Sequence, residues 1–123
     1  MYRVTKEDMI SASHHLRNYQ GKCEHVHGHN WKIKVTVEGE KLDDGGMLVD
    51  FHQIKNSMKQ VLERLDHKDL NEIPPFTEKE PSAENIARYI CIEVGKLINT
   101  ANAKVKQVEV WETPSSCATY IEQ

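Results

Sequence analysis

Residues 27–37, HGHNWKIKVTV, alternate strictly between two kinds of side chain, and this alternation predicts the central strand of the fold. Side chains two residues apart on a strand share one face of its sheet. His27 and His29 therefore continue the apolar face that begins at Trp31, whereas the lysines lie on the opposite face. At the usual rise of a strand the Cα atoms of the two histidines are about 6.6 Å apart, so both rings can reach one metal ion.

A third histidine is predicted on the same side of the sheet. Ile10, Ala12 and His14 alternate with two serines, which indicates a second strand whose inward face ends in a histidine. Buried imidazoles need partners for their ring nitrogens, so three of them on one face favour a metal site over histidines that are simply exposed or hydrogen-bonded. Three nitrogen ligands favour zinc with one open coordination position. His15 and His25 fall outside this face and are interpreted as surface residues.

The composition is that of an ordinary globular chain, and we interpret residues 1–123 as a single domain. Of the 123 residues, 38% are hydrophobic and 28% are charged, with a net charge of -3. The scattered lysines and arginines argue against a nucleic-acid partner, and no apolar run reaches the length of a membrane span. The N-terminus lacks the apolar segment of a signal peptide. Three cysteines are an odd number for a disulfide framework, so we expect a cytoplasmic protein.

Two amphipathic helices are predicted from capping residues and apolar stripes. Asp50, followed by Gln53, is typical of a capping box at the start of one helix, and Ser82 caps the second. The apolar stripes repeat with the helical period. They consist of Ile54, Met58, Val61, Leu62 and Leu65 in the first helix, and of Ile86, Ile90, Val94 and Leu97 in the second.

Further strands complete the expected sheet. The turn signal DDGG at 43–46 indicates a hairpin that leads into a strand over 47–51. Val108, Val110 and Glu112 alternate in a strong late strand, and a short strand is expected near 119–121. We therefore expect an α+β fold, with an antiparallel four-stranded sheet and both helices packed on one face. The edges of such a sheet make oligomerisation plausible.

Four further residues are candidates for chemistry. Cys23 lies in a loop four residues before His27, where a nearby cation would favour the thiolate as a base or nucleophile. As a fourth metal ligand the same thiol would close the site instead. Glu112 has the parity of two inward-facing valines, and a buried carboxylate needs a partner. Asp66-His67 pairs an acid with a titratable imidazole, although such pairs are also common on protein surfaces.

Six motifs, taken in order, resemble those of the 6-pyruvoyltetrahydropterin synthase superfamily. They are ISASHHL at 10–16, CEHVHGH at 23–29, VDF at 49–51, LDH at 65–67, PSAE at 81–84 and EVWET at 109–113. The resemblance extends from about residue 8 to about residue 121. The three-residue spacer between Cys23 and His27 resembles the branch of 6-carboxy-5,6,7,8-tetrahydropterin synthases in the queuosine (7-deazaguanine) pathway. The pyruvoyl-forming branch typically has a longer spacer.

The resemblance implies a fold, a metal and an assembly. The implied fold is the tunnelling fold, with trimers stacked into hexamers and active sites between subunits. In this family the positions of His14, His27 and His29 are the zinc ligands. Many members have arginine where this chain has His15, so the resemblance leaves open which basic residues hold the triphosphate of the substrate.

The resemblance also implies a substrate, 7,8-dihydroneopterin triphosphate, and a role for each remaining candidate. Cys23 matches the thiol that acts as general base, and Asp66 with His67 matches a proton-relay pair. Glu112 matches the carboxylate that grips the pterin ring, with Thr113 beside it. Two alternatives remain open at this point. The chain can be a 6-pyruvoyltetrahydropterin synthase, or a non-catalytic zinc-binding module in which the thiol is a fourth ligand.

Overall fold

The computed structural model describes residues 1–123 as a five-stranded sheet with two α-helices packed on one face. The spatial order of the strands is β3-β1-β2-β4-β5. The elements are β1 (Tyr2–His14), β2 (His27–Gly39), α1 (Phe51–Leu62), β3 (Lys68–Asp69), α2 (Ala83–Ile98), β4 (Ala103–Thr113) and β5 (Ser116–Ile121), with a short 3₁₀ turn at Leu70–Glu72. No helix is long and apolar enough to cross a membrane.

The α+β class is confirmed, but the prediction of a four-stranded antiparallel sheet was wrong. The sheet has a fifth strand, β3, which pairs in parallel with β1 through Ala12 and Ser13. A strand of two residues has no alternation that could reveal it in the sequence. Its position depends on contacts with the distant residue Ser11, whose N–H donates to the Asp66 carboxylate and whose carbonyl accepts from the His67 N–H.

The predicted strand over residues 47–51 was also wrong. Residues 43–46 do form a turn, closed by a hydrogen bond from the Gly46 N–H to the Asp43 carbonyl, but no strand follows it. The reason is the cap of α1. The Asp50 carboxylate accepts the N–H of His52 at 2.8 Å, so the chain is already helical from residue 51. The predicted N-cap Ser82 of α2 is confirmed and accepts the Asn85 N–H.

The core lies between the helices and one face of the sheet. Alternate residues of β2, beginning at Trp31, are fully buried, and the indole N–H of Trp31 donates to the Ala12 carbonyl at 3.2 Å. The predicted helix stripes face this layer, with one correction at the end of α2, where Ile98 is buried and Leu97 is 44% exposed. Because these strand residues share the parity of His27 and His29, the core face of the sheet continues directly into the histidine cluster.

The opposite face of the sheet carries no helix. Lys32 lies over the Trp111 ring, with its Nζ 4.7 Å from the ring centroid, and the Nζ of Lys34 is 5.8 Å from the same point. Pairing of Lys32 with Trp111 across β2 and β4 fixes this stack. The strong polarity difference between the two faces specifies the strand register, because a one-residue slip would bury the lysines.

Candidate metal centre

The register between β1 and β2 assembles the three histidines. His14 lies directly opposite His27, and His29 lies opposite Ala12, two residues before His14 in β1. All three rings project from the helix-covered face at the end of the sheet. The ring centroids are 4.7 Å apart for His14 and His27, 5.2 Å for His14 and His29, and 4.9 Å for His27 and His29. His14 is buried, and the other two are half-buried.

Hydrogen bonds to backbone carbonyls fix the protonation of two of these rings. Nδ1 of His14 lies 2.7 Å from the Pro81 carbonyl oxygen, and Nδ1 of His27 lies 2.8 Å from the His25 carbonyl oxygen. A carbonyl oxygen only accepts, so both Nδ1 atoms must carry the proton, and Nε2 of each neutral ring presents a lone pair. Backbone carbonyls orient metal-binding histidines in the same way.

The two Nε2 atoms are only 3.1 Å apart. In neutral rings with the protons on Nδ1, neither nitrogen has a hydrogen to share, and two lone pairs at this distance repel each other. A cation between them removes the repulsion. Donor atoms bound to one tetrahedral ion at about 2.1 Å lie about 3.4 Å from one another, which is close to this separation.

The carboxylate of Glu112 completes the cluster. Its Oε1 lies 2.8 Å from Nε2 of His29 and 3.4 Å from Nε2 of His14. The donor atoms of the four side chains all lie within 4.8 Å of one another. Nε2 of His29 is buried and has no well-directed hydrogen bond. Three imidazole nitrogens and one carboxylate oxygen are a donor set that suits a divalent ion such as zinc.

The charge state of His29 also suits metal binding. Burial lowers the pKa of this imidazole below its ordinary value, and the neighbouring His14 and His27 lower it further, while Glu112 acts in the opposite direction. The neutral ring is therefore favoured near pH 7. Metal ions bind the neutral imidazole, so the cluster is not required to release a proton at this position before it takes up an ion.

The sequence did not predict that the Glu112 carboxylate lies within hydrogen-bond distance of the histidine cluster. That its side chain points toward the core could be predicted, because Glu112 has the parity of Val108 and Val110, both of which are buried. Its closeness to the histidines was not available, because that depends on the pairing of β4 with β2. The orienting carbonyl of Pro81 was missed because it lies 67 positions from His14, and that of His25 because no side-chain pattern gives the direction of a loop carbonyl.

Cys23 lies outside this cluster in the structure. Its thiol is exposed and donates to the Arg17 carbonyl at 2.9 Å. It forms no hydrogen bond with the three histidines or with His67, so a single chain does not bring the predicted base and the predicted relay into contact. Its thiol is not among the donor groups that converge in the cluster.

Asp66 and His67 form a contact pair at the edge of the sheet. The Asp66 carboxylate accepts the Ser11 N–H at 2.8 Å and lies 3.1 Å from Nδ1 of His67. The Ser11 N–H is the largest cause of a lowered pKa of the Asp66 carboxyl, with His67 adding to it. The His67 ring is 81% exposed, and its residue has a positive φ of 58°. His67 and His29 line the same open cleft of about 460 Å³.

Thr113 ends β4 immediately after Glu112. Its hydroxyl accepts the Ser115 N–H at 3.2 Å and lies 3.3 Å from the Ser115 hydroxyl. These contacts hold the turn between β4 and β5. The side chain is half-buried and directly follows Glu112 in the chain. Its contact with substrate stays a prediction.

The sheet, its two helices and the four convergent donors define an α+β protein with a potential metal site at one end of its core. A family model described as 6-pyruvoyl tetrahydropterin synthase matches residues 3–123. The chain belongs to this family.

Known relatives carry two different names. The chain is 35% identical to the 6-carboxy-5,6,7,8-tetrahydropterin synthase of Bacillus subtilis, over 97% of this chain and 84% of the relative. It is 32% identical to the human 6-pyruvoyl tetrahydrobiopterin synthase, over 96% of this chain and 90% of the relative. The solved structure of Caenorhabditis elegans 6-pyruvoyl tetrahydropterin synthase matches with a TM-score of 0.84 at 30% identity, covering 100% of this chain and 98% of that one.

Proposed function

We propose that this protein, a single domain over residues 1–123, is a zinc-dependent 6-carboxy-5,6,7,8-tetrahydropterin synthase in queuosine biosynthesis. It converts 7,8-dihydroneopterin triphosphate and water into 6-carboxytetrahydropterin, acetaldehyde and triphosphate. The observation that carries the proposal is the convergence of the donor atoms of His14, His27, His29 and Glu112. The Bacillus subtilis and Haemophilus influenzae relatives, which bear this name and match 97% and 99% of the chain, support the choice of reaction.

The metal would be held by the three histidines. Their neutral rings, oriented by backbone carbonyls on two of them, provide the nitrogen ligands that zinc prefers. When bound, zinc supplies Lewis-acid polarisation of the hydroxyl groups on the substrate side chain. The Glu112 carboxylate, next to the histidines, would grip the pterin ring together with Thr113.

The remaining residues move and hold protons. Cys23, as the thiolate, accepts a carbon-bound proton from the substrate side chain. The Asp66 carboxylate, 3.1 Å from Nδ1 of His67, holds that imidazole in one orientation so that its other nitrogen can exchange protons with the substrate. The Asp66 carboxylate, whose pKa is lowered by the Ser11 N–H, is ionised at neutral pH.

The thiol and the relay lie apart in one chain, and an assembly of chains would complete the site. β3 pairs with Ala12 and Ser13 on the outer side of β1, and the Ser11 backbone bonds to Asp66 and His67, so the edge from Tyr2 to Ile10 is unpaired. The outer edge of β5 is unpaired as well. Exposed edges of this length favour pairing with another sheet. We therefore include a homo-oligomer of trimers stacked into hexamers in the proposal. The three free cysteines agree with a cytoplasmic location.

The deciding experiment is incubation of the zinc-loaded protein with 7,8-dihydroneopterin triphosphate, with both organic products identified by mass. We expect 6-carboxytetrahydropterin and acetaldehyde in equal amounts. Formation of 6-pyruvoyltetrahydropterin without acetaldehyde would establish the second candidate, a 6-pyruvoyltetrahydropterin synthase. The similarity to the human and Caenorhabditis elegans proteins supports this candidate. Zinc binding without turnover of this substrate would overturn both and leave the non-catalytic module.

The metal is tested separately on the His27→Ala variant. Removal of this ring leaves two histidines, so we expect the zinc content, measured by elemental analysis, to fall from one ion per chain to well below one. The matched control is His25→Ala, because His25 is exposed and contacts the cluster only through its backbone carbonyl. Undiminished zinc in His27→Ala would overturn the ligand assignment.

A further inference from the structure

The loop that carries Cys23 is a small folded unit, which we call the cysteine loop and define as residues 16–24. The Glu24 N–H donates to the Leu16 carbonyl at 2.9 Å, and the Glu24 carboxylate accepts the Leu16 N–H at 2.8 Å. Tyr19 and Lys22 exchange two backbone hydrogen bonds across the tip. These bonds shape the loop internally, but they do not determine where it lies on the protein.

The side chain of Arg17 attaches the cysteine loop to the segment that precedes α2. Its guanidinium donates to the carbonyls of Asn71 at 3.3 Å, Lys79 at 3.2 Å and Phe76. It also pairs with the Glu80 carboxylate at 3.2 Å, and the same carboxylate accepts the backbone N–H of Arg17 at 2.6 Å. The forked guanidinium suits this multiple attachment, which the single ammonium of a lysine cannot reproduce.

The residue that is held in this way also holds the thiol. The Arg17 carbonyl accepts the hydrogen bond from the Cys23 thiol at 2.9 Å. The segment to which Arg17 is attached continues into Pro81, whose carbonyl orients His14 of the metal cluster. One short stretch of chain, Glu80-Pro81, therefore contacts both the loop that carries the thiol and a ring of the cluster.

We propose that Arg17, fixed by Glu80, is a positioning residue that sets the place of the Cys23 thiol relative to the metal cluster. This inference rests on the proposed role of Cys23 as the base. The ion pair is 31% exposed at Arg17 and 37% exposed at Glu80, so its contribution to the stability of the fold is small. Loss of the attachment therefore affects the position of the loop, and with it turnover, while the metal cluster and the core persist.

The test measures the rate at which iodoacetamide alkylates each cysteine, with the modified peptides quantified by mass. The three cysteines differ in a useful way. Cys91 is buried, and burial raises its pKa to about 11. Its rate of alkylation therefore reports unfolding. Cys117 is exposed and gauges general reagent access. Cys23 alone donates to the Arg17 carbonyl. The variants are Arg17→Ala and Glu80→Gln.

In Arg17→Ala the backbone carbonyl at position 17 remains, but the cysteine loop loses its attachment to residues 71–80, so we expect Cys23 to react about tenfold faster than in the wild type because its loop is no longer held against the protein. The rates at Cys91 and Cys117 and the zinc content remain unchanged. For the natural reaction kcat falls while KM is nearly constant. A thiol that becomes more reactive toward iodoacetamide and less effective in turnover is displaced, which a general loss of folded protein would not produce.

Glu80→Gln keeps the size of the side chain and is expected to show the same changes to a smaller degree, and it replaces Arg17→Ala should that variant not fold. Lys96→Ala, which removes an exposed cation paired with Glu93, is the matched control and should resemble the wild type. An unchanged Cys23 rate in both variants overturns the proposal, as does equal acceleration at Cys91. Alkylation requires no substrate, so it decides the positioning role even where the proposed reaction fails.

Discussion

At the scale of single residues, the positions of two imidazole nitrogen atoms indicate a potential metal site. Nε2 of His14 and Nε2 of His27 face each other at 3.1 Å, while both partner nitrogens are committed as donors to backbone carbonyls. A pair of core histidines would be satisfied by one hydrogen bond between the rings, and that bond is excluded for neutral rings of this tautomer. The geometry suits two nitrogen ligands of one metal ion.

Replacement of the thiol separates metal binding from catalysis. Cys23→Ala removes the proposed base without touching a histidine, so we expect full zinc content and a loss of kcat of at least about a hundredfold. Elemental analysis and steady-state turnover measure the two properties on the same sample. The matched control is Cys117→Ser, since Cys117 is likewise exposed but lies on β5. A variant that turns over at the wild-type rate would exclude the thiol as the base.

Replacement of the carboxylate separates metal binding from substrate binding. In Glu112→Gln the three histidines remain, so we expect zinc to be retained while KM for the pterin substrate rises about tenfold or more, because a charged hydrogen-bond acceptor is lost. Glu109→Gln is the matched control, since Glu109 lies on the same strand but on the opposite face. Loss of zinc from Glu112→Gln alone would show that the carboxylate is a metal ligand.

At the scale of elements, the shortest strand has the greatest influence on the placement of the proposed relay. β3 consists of two residues and is aligned by contacts of Asp66 and His67 with Ser11 of β1. The backbone bond from His67 to Ser11 is 2.6 Å long and holds His67 in a left-handed conformation that is unusual for a residue with a side chain. The tie to β1 therefore orients the exposed imidazole.

The stability supplied by the hydrogen bond from the Ser11 N–H to the Asp66 carboxylate should depend on pH in a defined direction. The folded state lowers the pKa of Asp66 below its ordinary value of 3.8, so the contribution is present above that pH and declines as the pH falls through the lower folded value. We expect denaturant unfolding to show Asp66→Asn less stable than the wild type at pH 6, with the difference shrinking below about pH 4. Asp44→Asn, an exposed turn carboxylate, is the control, and a difference that stays constant down to pH 2 would contradict this account.

At the scale of the whole molecule, the sheet ends in two unpaired edges. The outer side of β1 is free from Tyr2 to Ile10, and β5 has no partner beyond it. The helix-free face carries the Lys32–Trp111 stack and the exposed side chain of Met9, which is 59% accessible. Edges of this kind are usually covered in native proteins, so we expect association of chains through them.

Light scattering coupled to gel filtration tests the assembly. We expect a mass three or six times the 14.2 kDa of one chain, with the larger value for stacked trimers. The mass is expected to persist in the Lys96→Ala control, whose substitution lies on α2 away from the strand edges. A monomer at micromolar concentration would contradict pairing of the edges and would leave the thiol and the relay apart.

Most of the fold could be predicted from the alternation of side chains along the strands and from the caps and apolar stripes of the helices. The parity of Trp31 with the β2 valines, the caps at Asp50 and Ser82, and the apolar stripes of both helices were all readable because each depends on neighbours within one turn or one strand. The strand predicted over 47–51 failed because two local signals, a turn and a helix cap, competed for the same residues. In the structure the cap prevails.

The sequence by itself determined that three histidines share the core face of two strands, since side-chain parity is a property of each strand alone. Only the tertiary structure decided what surrounds them. The approach of Glu112, the carbonyls that hold the rings, the parallel strand β3 and the Arg17 attachment all join residues more than fifty positions apart, except for the carbonyl of His25. Such contacts depend on how separate elements pack, and no local pattern specifies that packing.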